Sequence, residues 1–174
     1  MERIAIDMDE VMADAVGVFL KWYERDFGEK IDRAALIGGH VADALPKDRR
    51  KILRKYVHTP GFFSEMEVME GAVEVIQALQ GKYEIYIASA AQQFRNSLAE
   101  KHQWLETHFP FISWKNWVFC GDKSILQADI LIDDHVRNLQ AFRGKGILYT
   151  STHNTEDTEF PRVNNWQEVA DMLL

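Results

Sequence analysis

Apolar positions along this chain fall into two alternating patterns. Five short apolar-rich runs predict β-strands: Ile4–Ile6, Glu84–Ile87, Trp117–Phe119, Ile130–Ile132 and Gly146–Tyr149. They lack the strict apolar/polar alternation of a half-exposed sheet, which predicts strands covered on both faces. Between them, apolar residues recur at helical spacing. One such set is Ala72, Val75, Ile76 and Leu79; a second is Leu98, His102, Leu105 and Phe109. A third is Val136, Leu139 and Phe142, and the last is Trp166, Val169, Ala170 and Leu173. Gly81 and Gly144 stand where C-terminal caps would end two of these helices. Asn165 and Glu168 have capping-box spacing at the start of the last. Strands alternating with helices predict an α/β fold on a parallel sheet, and no internal repeat or low-complexity linker interrupts it.

The stretch between the first two strands is too long for a simple crossover. Val16, Phe19, Leu20, Tyr23 and Phe27 predict one amphipathic helix there. A second is predicted around Arg49–His58, before the turn Thr59-Pro60-Gly61. Residues 15–68 therefore read as an inserted helical cap, with residues 1–14 and 69–174 as the α/β core. Caps over the carboxyl end of a parallel sheet commonly close an active site.

Composition narrows the partners. The 174 residues suffice for one well-packed core with a small insertion. The formal net charge is −7. A nucleic-acid polymer would need a local basic patch and none stands out; the densest basic run, Lys47–Lys51, reads as a solvated helix face. Cys120 is the single cysteine, so no intrachain disulfide forms, which fits a reducing compartment. The segment Met1–Asp7 is charged too early for a signal peptide. No apolar run approaches the roughly 18 residues of a membrane span. The expectation is a cytoplasmic protein without a membrane partner. The oligomeric state stays open, a homodimer included.

Carboxylates end two of the predicted strands. The first closes in Asp7-Met8-Asp9-Glu10 and the fourth in Ile132-Asp133-Asp134. Asp7 and Asp9 reach one site beyond the strand end only if the chain turns there; otherwise Asp9 or Asp14 simply caps the next helix. In a parallel sheet both acid pairs lie at the carboxyl-terminal edge, where open α/β sheets bind ligands. Two unit charges about 4 Å apart repel by roughly 4 kcal/mol at an effective dielectric near 20, so four converging aspartates call for a cation. An oxygen-only set of ligands suits Mg²⁺. Ser89, after the second strand, offers a hydroxyl to a phosphate, although a helix N-cap is the simpler role. Lys123, beyond the third strand, offers the fixed positive charge that phosphoryl transfer needs.

The order Asp-x-Asp, Ser, Lys, Asp-Asp resembles the haloacid dehalogenase superfamily of phosphatases, built on a doubly wound, Rossmann-like sheet. Within it the chain is similar to the 5′(3′)-deoxyribonucleotidases. The resemblance is carried by Ile6–Asp9 through Asp14, Pro60-Gly61-Phe62-Phe63 leading to Gly71-Ala72, Glu100–Leu105, and Asp122-Lys123-Ser124 through Asp134. It implies a Mg²⁺-dependent phosphomonoesterase acting on (deoxy)ribonucleoside monophosphates. Asp7 would be the nucleophile that becomes phosphorylated, and Asp9 the general acid and then base. Ser89 and Lys123 would hold the phosphate. Asp7, the Asp9 main-chain carbonyl and Asp134 would bind the metal, with Asp133 acting through water or positioning Lys123. The resemblance leaves open which of Asp133 and Asp134 touches the ion.

The chain departs from that pattern at two positions. Glu10 stands where many members have glycine, and Ala15 where mammalian members carry an aromatic residue that packs on the base. Trp22, Tyr23, Phe62 and Phe63 are candidate replacement stacking surfaces, or else the packing core of the cap. A broad small-metabolite phosphatase of the same mechanism is the alternative. A receiver-type signalling domain fits poorly, because the strand at Trp117–Phe119 ends in Cys120-Gly121 with no acceptor aspartate.

Overall fold

The computed structural model describes residues 1–174. The first half of the chain runs β1 (Glu2–Asp7), β2 (Ala13–Asp14), α1 (Ala15–Phe27), α2 (Lys51–Val57), β3 (Glu67–Val68), α3 (Ala72–Leu79) and β4 (Tyr83–Ser89). It continues through α4 (Ser97–His108), β5 (Trp117–Phe119), β6 (Ile130–Asp133), α5 (Val136–Ala141), β7 (Lys145–Tyr149), β8 (Arg162–Val163) and α6 (Trp166–Leu173). Six strands form one parallel sheet in the order β5-β4-β1-β6-β7-β8. The chain builds outward from β1 to one side, then returns to build the other, so the switch point lies at β1. The fold is the doubly wound α/β architecture expected. Ile4, Ala5 and Ile6 of β1 and Ile130, Leu131 and Ile132 of β6 are all buried, as unbroken apolar runs require when helices cover both faces.

The antiparallel pair β2–β3 sets Ala13 opposite Val68 and Asp14 opposite Glu67, bringing both ends of the helical segment to one place. Asp14 caps α1 by accepting the Gly17 N–H at 2.8 Å, and Gly28 ends that helix with φ 68. Tyr56 of α2 donates its buried hydroxyl to Trp22 O at 3.1 Å and to Asp26 at 2.9 Å. One hydrophobic cluster runs without a break from Ile4 and Ile6 into Trp22, Tyr56 and Phe62. No helix is long and apolar enough to cross a membrane.

Several local expectations need correction. Neither Gly81 nor Gly144 adopts positive φ, so neither is a left-handed cap. Gly144 is glycine because a Cβ there would lie 2.4 Å from Asp129 O. On α4 the buried stripe is Ser97, Lys101, Trp104 and Leu105, whereas Leu98 and His102 face solvent. Trp22, Tyr23, Phe62 and Phe63 are core residues, each no more than 3% exposed. At α6, Asn165 accepts the Glu168 N–H at 2.9 Å, but Glu168 reaches back to Asn164 N rather than Asn165 N. The strands β2, β3 and β8 have two residues each, too short to leave a periodic signal.

Candidate active site

The chain turns directly after β1. Met12 N and Ala13 N both donate to Met8 O at 2.9 Å, and Glu10 N donates to Ala13 O at 2.8 Å. Glu10 sits at the apex with φ 60, the only non-glycine residue at positive φ. That is the physical reason for a glycine preference at this position, since a side chain there carries backbone strain. The turn puts Asp7 and Asp9 on the wall of one cleft of about 370 Å³. The cleft opens at the carboxyl edge of β1 and β6, the switch point of the sheet.

Asp7, Asp133 and Asp134 each offer an oxygen within 4.8 Å of the others. Lys123 donates to both Asp7 Oδ1 and Asp133 Oδ2 and is 4% exposed. Asp122 positions it by accepting Ser124 N at 2.9 Å, starting the short turn that carries the lysine. The two acids of the pair differ sharply. Asp133 is fully buried and saturated: besides Lys123 it accepts His135 N at 2.8 Å and Asn138 Nδ2 at 3.0 Å on each oxygen. Asp134 is 2% exposed, yet its Oδ1 has no partner. An orphaned buried carboxylate oxygen in an all-oxygen cluster fits a hard divalent cation.

One ammonium faces three carboxylates. Burial raises the Asp7 carboxyl to about 7 against the pull of Lys123, with Asp133 and Asp9 adding to the rise. Burial, then the charges of Asp7 and Asp133, pushes Asp134 well above the usual range. Burial alone would lower Lys123, but Asp7 and Asp133 outweigh it and hold the ammonium above its ordinary value. Lys123 therefore stays charged, and the surplus negative charge lies with the carboxylates.

Ser89 is not a helix cap and is not on the cleft wall, which is formed there by Ala90 and Gln93. Its buried hydroxyl accepts from Lys101 Nζ at 3.1 Å. Lys101 also donates to Asp9 Oδ2 at 2.6 Å and lies over the Phe63 ring at 5.0 Å. No role was read for it in the sequence, although a lysine inside the stripe Ser97-Lys101-Trp104 is the signal. Its neighbour Glu100 accepts Gly61 N at 2.8 Å and Phe63 N at 2.9 Å. Two sequence-distant motif stretches thus form one contact.

Glu10 is also part of the site. It accepts Val16 N at 2.7 Å and faces Arg33 at 3.3 Å, and burial raises its carboxyl to about 7. Arg33 grips both oxygens of Asp14 as well, at 2.8 and 2.7 Å. Opposite the acids, Ala15, Val16, Phe19, Val41 and Leu53 give the cleft an apolar wall from the helical segment.

A profile of the family "5′ nucleotidase, deoxy (Pyrimidine), cytosolic type C protein" matches residues 2–174. A protein of Staphylococcus aureus (strain Mu50) is 40% identical over 175 residues, covering 99% of this chain and 96% of its own. The 5′(3′)-deoxyribonucleotidase of Bacillus subtilis (strain 168) is 36% identical over 183 residues, covering 98% of each. A hydrolase of the haloacid dehalogenase family from Deinococcus radiodurans, solved with bound phosphate and sodium, superposes with TM-score 0.61 at 15% identity over 99% of this chain and 95% of that one. A hydrolase of that superfamily from Ehrlichia chaffeensis gives TM-score 0.55 at 13% identity over 98% and 95%. These two likenesses establish the shared fold.

Proposed function

The chain belongs to the cytosolic type C deoxy (pyrimidine) 5′-nucleotidase family of phosphoric monoester hydrolases, and on that premise we propose a magnesium-dependent nucleotidase working through a phosphorylated Asp7. The observation that carries this reading is the difference between the two neighbouring acids. Asp133 spends every lone pair fixing Lys123, Asn138 and the His135 N–H, whereas Asp134 keeps a buried oxygen without a partner. Asp7, Asp134 and the Asp9 main-chain carbonyl would hold the ion, with Asp133 positioning Lys123. When bound, Mg²⁺ supplies charge neutralisation at the phosphoryl oxygens.

Asp7 attacks phosphorus with a carboxylate oxygen while the bond to the nucleoside oxygen breaks. Lys123, on the cleft wall, steadies the charge on the phosphoryl group. Asp9 gives its proton to the departing oxygen, then takes one from the water that cleaves the acyl phosphate. Ser89 acts behind this layer, through Lys101 and its strand-end backbone. Residues 15–68 act as the cap over a core of residues 1–14 and 69–174, with β2–β3 as their joint. The lone cysteine, Cys120, buried and free, fits a cytoplasmic setting.

The substrate is a pyrimidine deoxyribonucleoside monophosphate, its phosphate at the acids and its sugar and base against Phe19, Val41 and Leu53. A 2′-hydroxyl against that wall lacks a partner, at a cost of about 1–3 kcal/mol, or a roughly tenfold to hundredfold preference for the deoxy sugar. The test is kcat/KM for deoxyuridine and uridine monophosphates beside sugar phosphates, with Mg²⁺ and after chelation. Equal values, or a better sugar phosphate, would make the protein a broad small-metabolite phosphatase, which the small Ala15 in the cleft permits. Loss of the acyl phosphate in Asp7→Asn checks the intermediate separately.

A further inference from the structure

Three histidines with no part in the proposed reaction stack at the mouth of the cleft. The His153 ring lies 4.5 Å from His135 and 5.1 Å from His40, at interplanar angles of 30° and 13°. Two of them reach the acid pair: Asp134 Oδ2 is 3.7 Å from His153 Nε2 and 3.9 Å from His135 Nε2. We propose that Asp134, His135 and His153 form a second cation site, for a nitrogen-preferring first-row transition ion such as Zn²⁺ or Co²⁺, with Asp134 bridging it to the carboxylate cluster.

Three observations carry this assignment. First, ligand atoms about 2.0–2.1 Å from a tetrahedral ion stand roughly 3.3 Å apart, close to the 3.7 and 3.9 Å between Asp134 Oδ2 and the two Nε2 atoms, and closure requires the stacked His135 ring to turn its in-plane lone pair toward that of His153. His135 is half-exposed and free to turn. Second, His153 Nε2 and Asp134 Oδ1 are both buried without hydrogen-bond partners. With Oδ2 turned to the imidazoles, Oδ1 is left for the all-oxygen cluster. Third, His153 is oriented from behind as ligating histidines are. Ser151 Oγ lies 3.3 Å from His153 Nδ1 and donates to Glu10 Oε2 at 3.5 Å. The hydroxyl is placed to accept from Nδ1–H, the tautomer that leaves Nε2 as the lone-pair nitrogen. The donor set of two imidazoles and one carboxylate favours Zn²⁺ or Co²⁺, whereas Mg²⁺ keeps to oxygen. Three protein ligands leave a further position open toward the cleft.

Binding is the readout, so this site is tested apart from the reaction. The full chain, stripped of metal and then saturated with Mg²⁺, is titrated with Co²⁺ and followed by calorimetry and the visible cobalt spectrum. One equivalent should bind with an intensified spectrum relative to free Co²⁺. His135→Gln and His153→Gln should each weaken it at least tenfold. Asp7→Asn should leave it in place. Cobalt that Mg²⁺ displaces completely, or that the double variant His135→Gln/His153→Gln retains unchanged, would overturn the proposal. His135→Gln, at a half-exposed position, keeps the test valid if a variant at His153 fails to fold.

Discussion

Lys101 Nζ lies 2.6 Å from Asp9 Oδ2, reached from a helix position ninety-two residues further along the chain. Lys101 is 2% exposed and its ammonium touches Ser89 and Phe63, so it has little room to move. It fixes the carboxylate that the proposed reaction uses as acid and base.

Replacing Lys101 by Met should therefore cost turnover more than binding. Lys101 does not line the cleft, so KM should change little. Misplacing a reacting group by about 1 Å costs on the order of a hundredfold in rate. Steady-state kinetics decide it, and an unchanged kcat would show that Asp9 is held by other means.

The two acids of the pair should fail in opposite ways. Asp133→Ala leaves buried donors of Lys123, Asn138 and His135 short of an acceptor, each worth roughly 1–3 kcal/mol. Asp134→Ala removes a carboxylate with one orphaned oxygen. Urea unfolding without metal should show a large loss for the first and little or none for the second. Mg²⁺ affinity should fall more for the second. The reverse order would exchange their roles.

Glu10 sets a pH dependence. Its folded carboxyl lies at about 7, above an ordinary value of 4.5, because burial disfavours the charge. The folded state thus holds a proton that the unfolded chain releases earlier. This contribution to stability is complete below pH 4.5 and is lost as pH rises through about 7. Its size is on the order of 3 kcal/mol. In chelator, Glu10→Gln should flatten part of the decline between acid and neutral pH. Identical slopes for the two proteins would remove Glu10 as the cause.

Gly144→Ala should destabilise the fold by about 1–3 kcal/mol. Its Cβ would meet Asp129 O at 2.4 Å and Phe142 Cε1 at 2.6 Å, both beside the β6–β7 ladder. A neutral melting temperature would mean the loop relaxes freely. Gly81→Ala, 3.3 Å from its nearest contact, is the milder comparison.

The sequence by itself determined the parallel sheet, because Ile4–Ile6 and Ile130–Ile132 are apolar runs that only a doubly covered strand can bury. It also determined which residues meet at its edge. Parallel strands end at the same edge, so Asp7 and Asp133 become neighbours wherever their strands pair. Helices α1 and α2 between the first two sheet strands were legible from their apolar spacing. Tertiary structure decided what spacing does not encode. On α4 Leu98 and His102 satisfy the same periodicity as Ser97 and Lys101, one residue and about 100° away, and this concealed Lys101, although Leu105 and Phe109 are buried as expected. The aromatic residues Trp22, Tyr23, Phe62 and Phe63 carry identical chemistry in a pocket or a core, and only packing assigned them to the core. Asp133 and Asp134 are adjacent and identical in type. The donors that saturate one and spare the other come from Lys123, Asn138 and the backbone turn, which the fold alone brings within reach.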